Sequence, residues 1–344
     1  MSKRIKILDC TLRDGGHALE DACNGENPTQ FYDTHTQIQL VDYLVSAQID
    51  VIELGSIYDG VVKHPEFSVF QNIEQVCELL PKRKSKVKFA VLYRSPDICE
   101  SSIPVYRPGL PELARVVMRY SELEKSHDFC RMLANKGYKV CIQPMVTSRY
   151  TVDQLKQLAS LGNEINAFAL YIVDSYGSMS LEDLERIYNI YNSNLDRFVC
   201  IGLHAHNNLG AALENSKWIA NRSKEREVVV DSTVYGIGQG AGNCRTELLA
   251  HHINSFFRTT YEMECILEAC SLLDRFKAKG EAWGLDLLNM MPAMHNTAYK
   301  YAHSLSCEYG YSYKDIYRFL IKMPDELRYQ YSRENLQICL SQRN

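Results

Sequence analysis

Eight short apolar, β-branched runs recur along the chain and alternate with segments that have helical periodicity. Strands that alternate with helices in this way predict parallel pairing through βαβ units. Eight such units over about 250 residues favour an α/β fold of the (β/α)8 type, a TIM barrel, over an open doubly wound sheet. The predicted strands are 5–12, 50–56, 87–93, 114–120, 138–146, 165–173, 197–204 and 227–234. The amphipathic stretches between them include 36–47, 70–80, 122–136, 151–161, 181–192 and 211–223.

The chain beyond the eighth run does not continue this alternation. Its segments are an amphipathic helix over 262–279, an apolar and aromatic stretch over 285–309, and a helix, Pro324 and a further short helix over 311–331. We therefore predict a catalytic barrel over 1–258 and a helical C-terminal extension over 259–344. The extension either covers the barrel mouth, forms an oligomer contact or packs against the outside of the barrel.

The composition argues against several classes of function. A net charge of -4 and a pI near 6.2 argue against general binding to nucleic acid or to an anionic membrane. No apolar stretch is long enough for a membrane span, and the N-terminus lacks the hydrophobic region of a signal peptide. The 12 cysteines are scattered with no Cys-x-x-Cys pair, so no zinc ribbon or thioredoxin motif is predicted. A reducing cytoplasm is the predicted setting.

Two segments that are distant in the sequence carry side chains suited to a metal ion. His204 and His206 follow one apolar run, and the alternation of side chains places both on one side of an extended strand. Asp14 follows the first run of the chain. A His-x-His pair alone is more often a satisfied surface or core pair, but ionisable residues concentrated at two strand ends are poor candidates for packing. We therefore predict a facial set of two imidazoles and one carboxylate, with positions left open for substrate.

Other polar residues also fall at the ends of predicted strands. Active sites of barrels of this type lie at the carboxyl ends of the strands. Glu53 ends the second strand, and Ser175 follows the sixth. After the eighth strand comes a glycine-rich turn, 236–243, which ends in Asn243 and can bring backbone N–H groups near an anion. This turn has no Lys-Ser/Thr of a phosphate-binding loop, so nucleotide binding is not predicted.

The combination of these motifs resembles the DRE-TIM metallolyase superfamily, the HMG-CoA-lyase-like or pyruvate-carboxyltransferase-type barrels. The resemblance covers roughly residues 4–250. The matching segments are TLRDG at 11–15, IELG at 52–55, DSYG at 174–177, HAHNNLG at 204–210, GAGN at 240–243 and TE at 246–247. The resemblance implies a TIM barrel with a divalent metal ion at its mouth.

His17 separates two branches of this superfamily. Members that condense acetyl-CoA with a keto acid usually carry Gln where His17 stands, whereas the 4-hydroxy-2-oxovalerate aldolases carry His. The resemblance therefore implies a class II aldolase that cleaves a 4-hydroxy-2-oxo acid to pyruvate and an aldehyde through a metal-stabilised enolate. The alternative is an acetyl-CoA-dependent Claisen-type acyltransferase that acts on a 2-oxo acid. A non-catalytic barrel is disfavoured by the complete metal set, and a biotin-dependent carboxyltransferase by the lack of a Met-Lys-Met motif.

The resemblance also implies a ligand set and a cofactor. Asp14, His204 and His206 are the expected ligands of a divalent ion, with Mn²⁺ or Mg²⁺ favoured and Zn²⁺ or Co²⁺ as further options. In the lyase branch, the Asn that matches Asn243 coordinates the metal. Here Asn243 either completes the coordination sphere or only shapes the turn.

Four residues have expected roles toward the substrate. Arg13 would stabilise the enolate oxygen with its rigid fork of donors. His17 would be the base that removes the C4 hydroxyl proton, because an imidazole titrates near neutral pH. Ser175 would hold the carboxylate of the substrate, and Glu53 would orient Arg13.

Two further groups of residues have open roles. The aldolases use a Tyr from the C-terminal region, so His295, Tyr299 and Tyr301 are candidates for a second acid. Arginines in the middle of the chain either bind a distal anionic group or form surface ion pairs. These arginines are Arg94, Arg115 and Arg119. The expected partners are a small 2-oxo acid and an aldehyde, further copies of the chain in a homo-oligomer, and an aldehyde dehydrogenase, because some aldolases of this kind pass their product to one.

Overall fold

The computed structural model describes residues 4–22, 30–58, 64–83, 85–94, 98–257, 259–277 and 283–341. Position 258, where we place the end of the barrel, and positions 278–279, the end of the helix predicted over 262–279, lie outside the described residues. The described strands are β1 (Ile5–Asp9), β2 (Val51–Ile57), β3 (Val69–Phe70), β4 (Lys88–Arg94), β5 (Leu113–Met118), β6 (Lys139–Pro144), β7 (Ala169–Asp174), β8 (Cys200–Ala205) and β9 (Val228–Ser232).

Eight of these strands close into a parallel barrel, which confirms the predicted fold. The order runs β1-β9-β8-β7-β6-β5-β4-β2, and β1 also pairs with β2, which closes the ring of eight strands. The two-residue strand β3 pairs in parallel with the carboxyl-terminal end of β2. Because β9 lies between β1 and β8, the residues that follow β1 and β8 come close together at the carboxyl end of the barrel.

The described helices surround the barrel and build the C-terminal extension. They are α1 (Gly16–Ala22), α2 (Thr34–Ser46), α3 (Ile73–Val76), α4 (Leu123–Asn135), α5 (Val152–Glu164), α6 (Leu181–Asn194), α7 (Ala212–Asn221), α8 (Thr246–Phe256), α9 (Met263–Lys277), α10 (Leu287–Ala293), α11 (Lys300–Cys307), α12 (Tyr313–Lys322), α13 (Asp325–Arg328) and α14 (Arg333–Ser341). None of these helices combines the length and the apolar character needed to cross a membrane.

The helix predicted over 70–80 is shorter than expected and covers 73–79. The first residue of the predicted range belongs to β3, and only α3 and a 3-10 turn at Cys77–Leu79 are helical. The connection from β4 to β5 also departs from a regular βα unit. Within residues 98–112 of that connection, the only helical segment is a 3-10 turn at Glu100–Ser102. The barrel therefore has a regular set of strands and a less regular ring of helices.

The first strand is shorter than the predicted 5–12. The Asp9 carboxylate accepts a hydrogen bond from the Thr11 N–H at 3.0 Å, which turns the chain out of the strand direction. Residues Thr11–Gly15 then form a single π-helical turn that leads directly into α1. Such turns occur frequently at functional sites. This one carries two of the predicted site residues.

A floor of apolar side chains fills the barrel below the site. Each barrel strand contributes to it, and the members include Leu8, Val51, Ala90, Leu113, Cys141, Ala169, Tyr171, Cys200 and Val229. Because side chains alternate along a strand, the residue two positions further on also faces the interior. On three strands that residue is charged: Glu53, Arg115 and Asp231 are all buried. The floor therefore supports a layer of buried charges directly beneath the barrel mouth.

Helix α9 packs against the barrel, and the helices after it form a cluster of their own. Tyr261, just before α9, donates from its hydroxyl to Asp50 Oδ2 at 2.6 Å. Helices α10 to α14 share a separate apolar cluster that includes Tyr301, Phe319 and Leu320. A fully buried side chain of this kind contributes roughly 1.5–3 kcal/mol to folding.

The C-terminal cluster is joined to loops at the carboxyl ends of the strands. The Tyr176 hydroxyl donates to the backbone oxygen of Tyr329 at 2.6 Å, and the Ser178 hydroxyl donates to Asn296 Oδ1 at 2.5 Å. Tyr176 and Ser178 both follow β7. Two of the predicted placements are therefore present, since α9 packs against the outside of the barrel and the segment after it contacts a loop at the barrel mouth. The oligomer contact stays a prediction.

Candidate active site

The π-helical turn after β1 places Arg13 and Asp14 at the mouth, and both side chains are buried. The turn is held from below, because the Val234 N–H donates to Thr11 Oγ1 at 2.8 Å. It is also held from the side. A Cβ atom on Gly16 would lie 2.0 Å from the backbone oxygen of Phe67, so only glycine allows this approach.

His204 and His206 face Asp14 from the end of β8. Their ring centroids are 5.1 Å apart, and the Nε2 atom of each ring lies 4.0 Å from Asp14 Oδ2. One ligand atom from each of the three residues can be chosen so that all lie within 4.8 Å of one another. The structure therefore brings together the three side chains that the sequence proposed as a facial ligand set.

Asn243 joins this group from the glycine-rich turn. It forms an antiparallel bridge with His206, and its Nδ2 donates to Asp14 Oδ2. A Cβ atom on Gly238 would lie 2.1 Å from Asn243 Nδ2, so the glycine makes room for the amide. The Asn243 Oδ1 atom is buried and has no hydrogen-bond partner among the described residues. A buried carbonyl oxygen without a donor fits a further oxygen ligand for a cation.

The protonation states of these groups also fit a cation. Burial alone would raise the pKa of Asp14, but Arg13 and the two imidazoles outweigh it and hold that pKa well below its usual range. Burial lowers the pKa of His206 to about 4, although Asp14 opposes the shift. At neutral pH the site therefore offers a carboxylate and a neutral imidazole, the forms that bind metal. The donors present fit a divalent ion.

A second cluster of Cys10, His204 and Asp231 lies just below. Burial raises the pKa of the Cys10 thiol well above its usual range, and its Sγ donates to the backbone oxygen of Ser232 at 3.4 Å. Asp231 is already engaged, since its Oδ2 lies 3.0 Å from His204 Nδ1. A neutral thiol and a carboxylate with partners make this cluster a support for His204 and not a second metal site.

Arg13 is fixed by two carboxylates. Its Nη1 donates to Asp14 Oδ1 at 2.8 Å, and its Nε donates to Glu53 Oε2 at 2.9 Å. These bonds engage Nε and Nη1, so Nη2 is the nitrogen that remains for a substrate oxygen. Glu53 is fully buried beneath Arg13, where it orients the guanidinium.

Arg115 neither binds a distal anionic group nor forms a surface ion pair, the two predicted roles, because its side chain is 0% exposed. It reaches neither a surface partner nor a substrate. Its Nη1 donates to Glu53 Oε2 at 2.7 Å, and its Nη2 donates to Asp231 Oδ2. Sequence reasoning missed Asp231 altogether. The signal was present, since an acid that interrupts the run Val228–Val230 on the inward face has to meet a buried partner.

The other two arginines lie elsewhere. Arg119 forms an ion pair with Glu122 at 2.8 Å, as surface ion pairing predicted. The Arg94 guanidinium lies 6.0 Å from the centre of the Tyr58 ring. That ring in turn stands edge-on to His17, with centroids 6.4 Å apart.

His17 lies in the first turn of α1, immediately after the π-helical turn. Its side chain is 16% exposed, and its Nδ1 is 3.8 Å from Glu20 Oε2. Asp21 lies one helical turn further along and therefore on the same face of α1. This face of α1 looks toward the C-terminal extension, because Asp21 bonds to residues of that segment.

Three candidates from the C-terminal region occupy different places. The Tyr299 hydroxyl donates to Asp21 Oδ2 at 2.5 Å, and burial, Asp21 and Asp14 all raise its pKa well above the usual range. Tyr301 instead hydrogen-bonds to two backbone oxygens within the extension. His295 packs against the ring of Tyr317. Tyr299 is therefore the one of the three that the structure directs toward α1 and the site.

Ser175 follows β7 at the mouth. Its Oγ accepts a hydrogen bond from the Val146 N–H at 3.0 Å, which leaves the hydroxyl hydrogen available to a further acceptor. The neighbouring Asp174 accepts from the N–H groups of Ser178 and Met179, and burial raises its pKa to about 6. These bonds fix the loop that carries Ser175.

Several known proteins are similar to this chain in sequence and in fold. A 4-hydroxy-2-oxovalerate aldolase from Geobacillus genomosp. 3 is 28% identical over 254 residues, which are 71% of this chain and 69% of that protein. An oxaloacetate decarboxylase from Mycobacterium tuberculosis is 24% identical over 250 residues, or 71% and 68% of the two chains. In structure, the N-terminal domain of a candidate aldolase from Bacteroides vulgatus superposes with a TM-score of 0.70 at 22% identity, over 91% of this chain and 99% of that one.

The family model described as HMGL-like matches residues 4–271. That range contains the closed barrel, the π-helical turn and the four side chains grouped around Asp14. The relatives named above are lyases, and this chain is an enzyme of the same group. The chain belongs to the HMGL-like family.

Proposed function

We propose that this enzyme is a divalent-metal-dependent class II aldolase that cleaves a 4-hydroxy-2-oxo acid to pyruvate and an aldehyde. The observation that carries the proposal is the grouping of Asp14, His204 and His206 within 4.8 Å, with Arg13 bonded to Asp14. The aldolases among its relatives support it, and so does His17 at the start of α1.

Asp14, His204, His206 and Asn243 would hold the ion. The carboxylate and amide oxygens favour Mn²⁺ or Mg²⁺, and the two imidazoles make Zn²⁺ and Co²⁺ further options. When bound, the ion supplies Lewis-acid polarisation of the 2-oxo group.

The buried charges of the site favour an anionic substrate once a divalent ion is present. Three carboxylates and two guanidiniums carry one net negative charge, and a divalent ion changes this to one net positive charge. A 2-oxo acid carries one carboxylate, which this charge attracts. The carboxylates belong to Asp14, Glu53 and Asp231, and the guanidiniums to Arg13 and Arg115.

The chain's own residues would bind and orient the substrate. Arg13 Nη2 would donate to the oxygen that gains negative charge as the carbon–carbon bond breaks. Glu53 keeps the guanidinium in place during this change, because its bond to Nε does not involve the substrate. The Ser175 hydroxyl hydrogen would donate to the substrate carboxylate.

Two proton transfers complete the cleavage. His17 would take the proton from the C4 hydroxyl, after which the C3–C4 bond breaks, C4 leaves as the aldehyde and the electron pair stays on C3. Tyr299 would then return a proton to C3 and give pyruvate. The Tyr299 hydroxyl is protonated at neutral pH and therefore carries a proton that it can donate.

Tyr299→Phe should slow cleavage about 10²-fold, because it removes the proton donor and keeps the ring. Exchange of the methyl hydrogens of pyruvate in D₂O, followed by proton NMR, should slow to a similar extent. Tyr301→Phe is the matched control. It loses bonds within the extension, which costs about 1 kcal/mol of stability, and should leave both rates unchanged. Normal exchange in Tyr299→Phe would assign the C3 proton to another group.

Pyruvate release from a panel of substrates tests the proposed function itself. The panel contains 4-hydroxy-2-oxo acids of different chain length and oxaloacetate, each assayed after metal stripping and after addition of Mn²⁺ or Mg²⁺. We expect metal-dependent release from at least one hydroxy acid. Release from oxaloacetate alone would make the enzyme a decarboxylase. Free thiol produced only from acetyl-CoA and a 2-oxo acid would make it the alternative acyltransferase.

The setting and the partners are proposals as well. We propose a reducing cytoplasm, supported by the eleven free cysteines among the described residues. We also propose that the chain forms a homo-oligomer. The net charge of -4 supports the further proposal that it binds neither nucleic acid nor membranes. An aldehyde dehydrogenase is the proposed partner for the second product. Size-exclusion chromatography with light scattering would measure the oligomer.

A further inference from the structure

A chain of alternating charges crosses the barrel interior beneath the candidate metal site. It begins at Asp14, whose Oδ1 accepts from Arg13 Nη1 at 2.8 Å. Arg13 Nε donates to Glu53 Oε2 at 2.9 Å. The same Glu53 oxygen accepts from Arg115 Nη1 at 2.7 Å. The two arginines are therefore linked through one carboxylate oxygen.

The series of charged side chains continues to the side of the barrel where the ion would bind, and there it nearly forms a closed ring. Arg115 Nη2 donates to Asp231 Oδ2, and the same Asp231 oxygen lies 3.0 Å from His204 Nδ1. The other nitrogen of this imidazole, Nε2, lies 4.0 Å from Asp14 Oδ2. Among these six residues, the link between His204 and Asp14 is the one that no hydrogen bond closes. This gap lies where the ion would bind.

Arg115 can act only through its neighbours. Its side chain is 0% exposed, with the Tyr171 ring 5.1 Å from the guanidinium carbon. The Gln143 amide, with its oxygen turned toward the guanidinium, accepts from Nε at 2.9 Å. Substrate cannot reach a side chain that is enclosed in this way. Its two bonded carboxylates, Glu53 and Asp231, instead contact the residues that do reach the mouth.

Asp231 fixes which nitrogen of His204 faces the ion. An ionised carboxylate only accepts hydrogen bonds, so the proton of the neutral ring lies on Nδ1. The lone pair of Nε2 then points toward Asp14. A carboxylate behind a histidine ligand also makes the ring a stronger donor to a metal. Arg115 holds that carboxylate in place from its other side.

We propose that Asp231 and Arg115 are positioning residues that set the affinity of the site for its divalent ion. Asp231 acts on His204 directly. Arg115 holds Asp231 in place and, through Glu53, also holds Arg13 in its position beside the same ion. The inference rests on the proposed function only in taking the ion to be divalent.

The substitution Asp231→Asn separates charge from geometry. Both bonds to Asp231 end on Oδ2, whereas Oδ1 has no hydrogen-bond partner among the described residues. An asparagine can place its oxygen at the Oδ2 position and its amide nitrogen at the Oδ1 position. Both bonds are then retained and the negative charge is lost. The variant therefore tests the electrostatic support of His204.

Isothermal titration of the metal-free protein with Mn²⁺ measures the effect without any substrate. We expect Asp231→Asn to bind Mn²⁺ about 10- to 100-fold more weakly than the wild type. The matched control is Asp50→Asn, an acid just before β2, at the end of the barrel opposite the mouth, whose Oδ2 likewise accepts two hydrogen bonds, from the Ile7 N–H and the Tyr261 hydroxyl. The control should bind Mn²⁺ as the wild type does.

The double variant Asp231→Asn with Arg115→Met guards against misfolding. Asp231→Asn leaves the buried Arg115 with one carboxylate partner, Glu53, in place of two, which destabilises the fold, and the methionine removes the arginine's charge at a similar volume. The double variant should fold by circular dichroism and still bind Mn²⁺ weakly. Wild-type affinity in a folded Asp231→Asn or double variant would overturn the inference. Failure of the wild type to bind any divalent ion would overturn the proposed function together with it.

Discussion

Asp14→Asn should lower metal-dependent turnover by about 10³-fold or more. The substitution keeps the shape of the side chain but removes the charge that both imidazoles and Arg13 face. A Lewis-acid ion contributes several kcal/mol to such a reaction, and each 1.36 kcal/mol corresponds to a factor of ten in rate. Pyruvate release at saturating Mn²⁺ measures turnover, and metal analysis of the dialysed protein measures retention of the ion.

The control for Asp14→Asn is the same change at a surface acid. Asp183, on α6, is 45% exposed and forms an ion pair with Arg186 at 3.5 Å. Asp183→Asn should keep both the activity and the metal content of the wild type. If Asp14→Asn turned over substrate at the wild-type rate, the ligand set around Asp14 would be wrong.

His17→Ala should slow cleavage by roughly 10²- to 10⁴-fold while the ion stays bound, because it removes a general base and none of the proposed ligands. Stopped-flow measurement of pyruvate release gives the rate, and metal analysis gives the occupancy. His35→Ala, at an exposed position in the first turn of α2, is the control and should behave as the wild type. Loss of the ion from His17→Ala would show that His17 belongs to the metal site and is not the base.

Exchange of pyruvate hydrogens in D₂O distinguishes the two proton-transfer groups. Pyruvate has no C4 hydroxyl, so the exchange does not need the base that acts there. His17→Ala should therefore keep near-normal exchange and lose cleavage, whereas Tyr299→Phe should lose both. The opposite pattern would exchange the roles of His17 and Tyr299.

The grouping of Asp14, His204 and His206 could be predicted from the sequence because it depends on local rules. His204 and His206 share a face through the period of two in an extended strand, and β8 does extend through Ala205. Their proximity to Asp14 follows from barrel closure, which places β9 between β1 and β8. The position of Asn243 was harder to predict, since the approach of its amide to Asp14 depends on the space that Gly238 leaves.

The pairing of the buried charges could not be predicted in the same way. Arg115 breaks an apolar pattern, and a single sequence does not show whether such a residue faces outward or meets a counter-charge inside. Its partner Asp231 lies 116 residues away in the chain. Only the closed barrel brings the two strands into facing positions. The end of β1 was missed for a local reason, because the bond from Thr11 to Asp9 competes with strand pairing.

The length of the π-helical turn at Thr11–Gly15 determines which side chains face the site. A π turn accommodates one residue more than an α turn. Deletion of one residue from the turn would let this segment relax to an α-helix. The residues before the deletion would then rotate by about 100° relative to α1. Arg13 and Asp14 would then leave the metal-facing side, while His17 and Asp21 kept theirs. The length of this turn therefore fixes the angle between two groups of side chains, Arg13 and Asp14 in the turn and His17 and Asp21 on α1.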